Sequence, residues 1–310
     1  MTIPEFPFKS DAAFDVDHNR ASLHAQRIVR RLQTGNGIVA LDVDGVFLDG
    51  SSMGTDWFTD PAFATILPIL DQNLDLRLIT ARGENVISSI KQMVSGGINL
   101  AGPHIIEEGH AWLMDGEVHP LVSQEYIQFF KALHVDFQNN GLVNSWQDVI
   151  HTNNTFCWGD KRWQGRYSGS LWFRYQDRNF MEEKLQQKVR QLSEIASVQI
   201  DCHFNAQPQN NLAWMRIRSS EVNKAHRMHT LGLPDVYICD GPNDRQAVAA
   251  MQPDILLPYM RNTDGIVVAV NSSPDQETAD MRWVYENADI TVHNHQELAF
   301  LLKIVAHSIR

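Results

Sequence analysis

The chain is poor in cysteine, in positive charge and in long apolar runs, and each shortage removes a class of protein. Its 310 residues hold three cysteines, Cys157, Cys202 and Cys239. They are too few and too scattered for a disulfide framework, and no Cys-x-x-Cys pair exists; reduced thiols acting as small hydrophobes are expected. Lys and Arg number 26 against 37 Asp and Glu, a formal net charge of −11. That balance argues against a nucleic-acid backbone or an anionic membrane as the main partner. It leaves room for an anionic small molecule where a metal or local donors neutralise it. No stretch approaches the ~20 apolar residues of a membrane helix. The first ten residues include Pro4 and Pro7 and lack an apolar segment of signal-peptide length. A cytoplasmic protein, a monomer or small homo-oligomer, is expected.

What is present is ordinary globular material: 43% apolar and 20% charged residues, enough chain for about two domains. Residues 1–36 read as an N-terminal extension, with a helix from Ala21 to Leu32 that ends at Gly35-Asn36-Gly37. Ile38 to Leu41 then runs unbroken into Asp42, the pattern of a buried parallel strand. Leu76 to Thr80 is a second such run, followed by a helical pattern from Glu84 to Met93. Ile105-Ile106 begins a third, passing through a turn at Glu108-Gly109 into Ala111 to Met114. Strands alternating with helices predict an α/β fold with a parallel sheet.

The middle of the chain has another texture. A helix, then strands at Thr152 to Trp158 and Ser170 to Tyr175, a helix from Asn179 to Ala196, and strands at Val198 to Phe204 and Leu212 to Arg218 suggest antiparallel pairing. Apolar runs return at Val236 to Asp240 and Gly265 to Val270. The expected layout is a Rossmann-like α/β core at 37–120 and 218–310, interrupted by a smaller α+β domain at 121–217. Leu298 to Ile309, broken by Lys303 and His307, reads as an amphipathic surface helix.

Four motifs carry chemistry. Asp42-Val43-Asp44-Gly45 places two carboxylates at the C-terminal end of a strand, where open α/β sheets bind ligands. Acids so close repel unless one is protonated or a cation lies between them. An Asx-type turn, or another Asp-x-Asp metal site such as that of a glycosyltransferase, accounts for this motif alone equally well. Thr80-Ala81-Arg82-Gly83 offers a hydroxyl and free N–H groups at a helix start, an anion site or simply an N-cap. Lys224 opens a helix, where a solvated surface position is the plain alternative. Asp240-Gly241-Pro242-Asn243-Asp244 ends a further apolar strand; its few hard oxygens suit Mg²⁺ better than a Ca²⁺ cage, and the EF-hand series of acids is absent. An acidic surface turn does not explain why these acids follow Val236 to Cys239.

The order of the four motifs resembles that of the haloacid dehalogenase-like superfamily of phosphohydrolases, through Asp42, Asp44, Thr80, Lys224, Asp240, Asn243 and Asp244. It is most similar to the branch with an α/β cap between the second and third motifs, which includes Cof-type, sucrose-phosphate and trehalose-phosphate phosphatases and phosphomannomutases. Glu107-Glu108-Gly109-His110-Ala111 is similar to the turn preceding that cap. Cys239 stands where the family usually has glycine, and Asn271-Ser272-Ser273 follows a longer connection through Pro253 to Asp264.

The resemblance implies an aspartyl-phosphate mechanism on a small phosphorylated metabolite, a sugar phosphate. Asp42 would be the nucleophile and Asp44 the acid and base. Mg²⁺ would be held by Asp42, the Asp44 carbonyl, Asp240 and Asp244. Thr80 and Lys224 would hold phosphoryl oxygens with Gly45, Ala81 and Arg82 alongside, and Asn243 would orient Lys224 or a neighbouring carboxylate. The alternatives are a phosphomutase, with a second phosphate on Arg162, Arg166 or Arg174, and a non-catalytic phosphate-ligand binder. Trp158 to Tyr167 is either a specificity loop over the substrate or a hairpin tip with Trp158 half-buried. His293-x-His295 and His226-x-x-His229 lack zinc-site spacing and a third partner, so surface or capping roles are expected.

Overall fold

The computed structural model describes residues 18–49, 57–94, 96–159, 165–251, 265–271 and 278–310. Its first part runs α1 (His18–Thr34), β1 (Ile38–Leu41), β2 (Leu48–Asp49), β3 (Trp57–Phe58), α2 (Phe63–Asn73), β4 (Asp75–Leu78) and α3 (Asn85–Met93). An antiparallel three-stranded sheet follows: β5 (His104–Ile106), β6 (Ala111–Met114) and β7 (Glu117–Pro120). The inserted unit comprises α4 (Gln124–Asn139), α5 (Trp146–His151), β8 (Cys157–Trp158), β9 (Gly169–Arg174), α6 (Arg178–Ala196), β10 (Ile200–Gln207) and β11 (Leu212–Ser219). The core resumes with α7 (Lys224–Leu231), β12 (Val236–Cys239), α8 (Arg245–Met251), β13 (Ile266–Val270), α9 (Ala279–Asn287), β14 (Ile290–Val292) and α10 (His295–Ser308).

The core sheet has the order β14-β13-β12-β1-β4, every neighbouring pair parallel. All residues of β1, β12 and β13 are buried, which is why these strands are apolar without alternation. One face packs Leu41, Ile238 and Val268 against Ile28 of α1, Leu67 of α2 and Leu302 of α10. The other packs Tyr237, Cys239 and Val267 against Met228 of α7, Val248 of α8 and Val284 of α9. Each such large apolar side chain contributes about 1.5–3 kcal/mol when fully buried. Helix α1 belongs to this layer: Ala25, Ile28 and Leu32 are buried, and Arg31 pairs with Asp235, which also accepts from the Asn36 and Ile38 N–H groups.

The inserted unit has its own core. Its antiparallel sheet, β10-β11-β9-β8, carries α4 and α6 on one face, joined through Phe129, Leu133, Phe173, Leu185 and Met215. Trp158 packs half-buried against this cluster and stacks on His134 at 4.2 Å. Among the described residues, no helix is long and apolar enough to cross a membrane.

Two expectations of the sequence are corrected. Of the strand expected at 152–158, only Cys157–Trp158 forms, because the chain turns at Asn154 with a left-handed φ of 55°. Ile105-Ile106 does not form a full strand of the parallel sheet; it pairs antiparallel with β6 and meets the end of β4 through an isolated parallel bridge to Ile79 and the Leu78 N–H to His104 Nδ1 hydrogen bond.

Candidate active site

Asp42 leaves the end of β1, an inner strand of the sheet, and its N–H still donates to the Ile238 carbonyl of β12 at 2.8 Å. Thr80 lies beyond the end of β4 and Asp240 follows β12, so three polar residues emerge at one carboxyl edge of a parallel sheet. Lys224 arrives from elsewhere. It is the first residue of α7, where Asn223 caps the helix by accepting from the His226 N–H at 2.8 Å.

These residues form one buried charge cluster. Lys224 Nζ donates to Asp42 Oδ2 at 2.8 Å and to Asp244 Oδ1 at 2.7 Å, with the lysine side chain only 5% exposed. Tyr237, fully buried in β12, donates its hydroxyl to the same Asp244 oxygen at 2.7 Å, and the Gly241 N–H reaches Oδ2 at 3.3 Å. Burial pushes the Lys224 ammonium down, but Asp244 and Asp42 outweigh it and hold the group above its ordinary range. Burial likewise opposes ionisation of Asp244, and Lys224 overcomes it, so this carboxyl is held low. Asp42 is different. Burial and then Asp244 push it well above the carboxylate range, with Lys224 only partly offsetting them. Burial and Asp244 push Asp240 up as well, to about 8.

Lys224 thus bonds two of three carboxylates, Asp42, Asp240 and Asp244, each of which brings an oxygen within 4.8 Å of the others. They are the sole such group among the described residues, and the cluster is short of positive charge. All donors are hard oxygens, the chemistry of a divalent cation such as Mg²⁺ rather than of a soft metal. The residues therefore fit a metal at Asp42, Asp240 and Asp244. Gly45 closes the loop with a φ of +74°, and a Cβ there would lie 1.7 Å from Asp240 Oδ2, so only glycine permits this approach. The Gly45 carbonyl is held in turn by His295 Nε2 at 2.8 Å.

The remaining predicted residues divide. Thr80 is fully buried, its hydroxyl oxygen accepting from the Arg82 N–H at 3.1 Å, which leaves its proton to donate. Arg82, expected alongside the phosphoryl oxygens, turns its buried guanidinium to Asp44: Nε lies 2.8 and 3.1 Å from the two carboxylate oxygens, and Nη2 also donates. Asn243 is exposed and does not reach Lys224; Asp42 and Asp244 orient that lysine instead. His226 and His229 sit on α7 without a metal-like cluster, and the His293 N–H donates to Glu297 at the start of α10.

The inserted unit reaches this edge through individual contacts. The turn at Glu107-Glu108-Gly109 has three successive positive φ values, which directs the two acids apart. Glu107 accepts from the Arg166 and Tyr167 N–H groups at 2.8 Å each. Arg166 pairs with Glu84 at 2.7 Å, and residues 160–164, with Arg162 and Trp163, lie outside the described residues. Glu108 faces Arg216 and Arg218 of β11, and Arg216 Nη2 donates to the Ala81 carbonyl at 3.1 Å. Sequence reading missed Tyr237, Glu108, Arg216 and Arg218; the alternation Trp214-x-Arg216-x-Arg218 on one strand face was the available signal.

No protein-family model matches the sequence, and neither does any curated protein. Solved structures do. A trehalose-6-phosphate phosphatase related protein superposes with a TM-score of 0.55 at 15% identity, covering 87% of this chain and 97% of its own. The C-terminal domain of the C. albicans trehalose-6-phosphate phosphatase gives 0.55 at 12% identity, over 91% and 96%. The Aspergillus fumigatus trehalose-6-phosphate phosphatase gives 0.53 at 12% identity, over 92% and 97%.

Proposed function

We propose, on the premise that the chain has the fold of haloacid dehalogenase-like phosphatases with an α/β cap, that it is a Mg²⁺-dependent phosphatase of a small phosphorylated metabolite. The observation that carries this reading is Lys224 Nζ, set between Asp42 and Asp244 beside Asp240 at the carboxyl edge of the sheet. Asp42 is the nucleophile: its carboxylate attacks phosphorus and forms an aspartyl-phosphate while the P–O bond to the leaving group breaks. Asp44, held by Arg82, protonates the departing oxygen and then takes a proton from the water that hydrolyses the intermediate. Lys224 and Thr80 hold phosphoryl oxygens, and Lys224 lowers the repulsion between an anionic ester and Asp42. Asp42, Asp240, Asp244 and the Asp44 carbonyl would hold Mg²⁺, which supplies charge neutralisation for the phosphoryl group. Cap closure through Glu107 and Glu108 excludes bulk water.

The similarity to trehalose-6-phosphate phosphatases favours a sugar phosphate as substrate. A mutase needs a second phosphate held by cap cations, and Arg166 and Arg174 are instead paired with Glu84 and Asp177. The test is phosphate release from a panel of phosphomonoesters with Mg²⁺ or with EDTA, in the wild type and in Asp42→Asn. Mg²⁺-dependent release that is lost in Asp42→Asn with circular dichroism unchanged is expected. A flat panel, or an active Asp42→Asn, sinks the reading.

A further inference from the structure

The loop that follows Asp42 closes largely on itself. The Phe47 and Leu48 N–H groups both donate to the Val43 carbonyl, at 3.3 and 3.0 Å, and the Gly45 N–H donates to the Leu48 carbonyl at 3.1 Å. The Gly45 carbonyl is turned out of this loop to His295 Nε2 at 2.8 Å, and the two residues lie 250 positions apart in the chain. A carbonyl oxygen only accepts, so Nε2 carries the hydrogen.

His295 is the first residue of α10, yet it does not cap that helix. Asn294 does, accepting from the Glu297 N–H at 2.8 Å, and the Glu297 carboxylate returns to accept from the His293 N–H at 2.8 Å. Behind this start Leu298, Leu301 and Leu302 are buried in the core. The imidazole is therefore delivered from a fixed base, as a positioning group requires. Among the described residues it joins no cluster of metal-ligating side chains, and the carbonyl it holds belongs to the residue next to Asp44.

Gly45 touches the site on two sides. Its nitrogen continues from the Asp44 carbonyl, and its α-carbon packs against Asp240, since a Cβ there would lie 1.7 Å from Oδ2. Arg82 holds the Asp44 carboxylate but not the peptide that joins residues 44 and 45. Glycine tolerates many backbone angles, so its conformation here, with φ at +74°, needs a bond to hold it. Val46, Phe47 and Leu48 are buried, so a turn of the Gly45 carbonyl is taken up on the Asp44 side. Such a turn moves the Asp44 carbonyl and changes the contact with Asp240 together.

We infer that His295 is a positioning residue of the Asp42 site, acting through the Gly45 carbonyl on the Asp44 main chain and on Asp240, an assignment that rests on the phosphatase reading of that site. The test separates the ring from its donor. His295→Phe keeps the bulk and loses the N–H; His295→Gln keeps an N–H donor and loses the ring. Calorimetric Mg²⁺ titration, kcat and KM on p-nitrophenyl phosphate, and urea unfolding in EDTA are measured on both variants and the wild type. His295→Phe should raise the Mg²⁺ Kd and lower kcat by about tenfold or more each, with KM little changed, and His295→Gln should recover most of both. A His295→Phe with the Mg²⁺ Kd and kcat of the wild type overturns the assignment, whatever its stability. Losses in His295→Gln as large as those in His295→Phe overturn it as well, because they assign the ring to packing. Should His295→Phe not fold, His295→Ala takes its place in the same comparison. If the wild type releases phosphate from neither p-nitrophenyl phosphate nor the phosphomonoester panel, the phosphatase reading falls. The Mg²⁺ affinities then decide alone: loss in His295→Phe with recovery in His295→Gln upholds the role of His295, and equal or absent affinity overturns it.

Discussion

The guanidinium of Arg82 grips both carboxylate oxygens of Asp44, with Nε 2.8 Å from Oδ1 and 3.1 Å from Oδ2. The arginine is 1% exposed, whereas the Asp44 side chain retains 23%. The arginine end of the pair is anchored in the protein, and the partly exposed end is the carboxylate that the proposed mechanism uses as acid and base. On that proposal Arg82 fixes the direction of the acid. Arg82→Ala should lower kcat by about 10²-fold for esters with poor leaving groups. The loss should be smaller for p-nitrophenyl phosphate, whose leaving group needs less protonation. Equal losses on both esters would refute a positioning role.

Lys224 is the counter-ion of two buried acids, and its removal leaves them facing each other. Lys224→Met should cost about 3–5 kcal/mol of stability in the absence of metal. Mg²⁺ should restore part of that loss by replacing the missing charge. Urea unfolding with EDTA and with Mg²⁺ measures both quantities, and a metal-independent loss counts against the shared cluster.

Metal binding should tighten as pH rises. The metal needs ionised carboxylates, and burial with Asp244 holds Asp240 protonated up to about 8. Below that pH a proton must leave for the cation to enter. The apparent Mg²⁺ Kd should therefore fall as pH rises from 6 to 8, by about tenfold per unit for each carboxyl proton that must leave. Calorimetry in buffers of different ionisation enthalpy also counts the released proton.

His110 predicts a separate stability profile. Its Nδ1 faces the Glu107 carbonyl and so carries the hydrogen, while Nε2 accepts from the Ser219 N–H at 2.9 Å. Protonation would destroy the second bond, and burial lowers the imidazole to about 4. Between 4 and the ordinary 6.5 the unfolded chain binds the proton and the folded chain does not. Stability from this group is therefore complete above 6.5 and lost as pH falls toward 4, by about 3 kcal/mol in all. The difference between wild type and His110→Gln in urea unfolding from pH 7.5 to 4.5 should narrow toward acid.

Gly45→Ala tests the close approach of loop and acid. The left-handed backbone costs a non-glycine residue about 1–2 kcal/mol, and the new methyl group collides with Asp240. Weaker Mg²⁺ binding should accompany the loss of stability; unchanged affinity would separate Asp240 from the metal.

Asp42, Thr80 and Asp240 were legible because each terminates a nearly pure apolar run, and a buried strand that ends in a polar group announces where the sheet edge lies. Lys224 was legible only through the order of the motifs, since nothing local distinguishes it from a surface lysine. Arg82 was read as a phosphate ligand because its partner, Asp44, lies 38 residues away and no local pattern links them. Tyr237 sits within an apolar strand and reads as core; its hydroxyl acquires a role only once the turn at 240–244 folds back over β12. The short strand at 157–158 and the side sheet begun by β5 escaped for a related reason. The turn at Glu108-Gly109 was expected, but not that it would reverse the chain into an antiparallel pair, and the left-handed Asn154 cuts short a run whose other residues favour a strand.

Lys224 enters α7 five residues after β11 closes the cap sheet at Ser219. The counter-ion of Asp42 is therefore mounted on the joint through which the cap returns to the core. A tilt of the cap about that joint would pull on the same backbone that presents the ammonium, so on the proposed mechanism lid position and the charge beside the nucleophile would form one mechanical coordinate. The cap cannot be excised at β11 as a detachable roof without also slackening the tether of the lysine that Asp42 and Asp244 share.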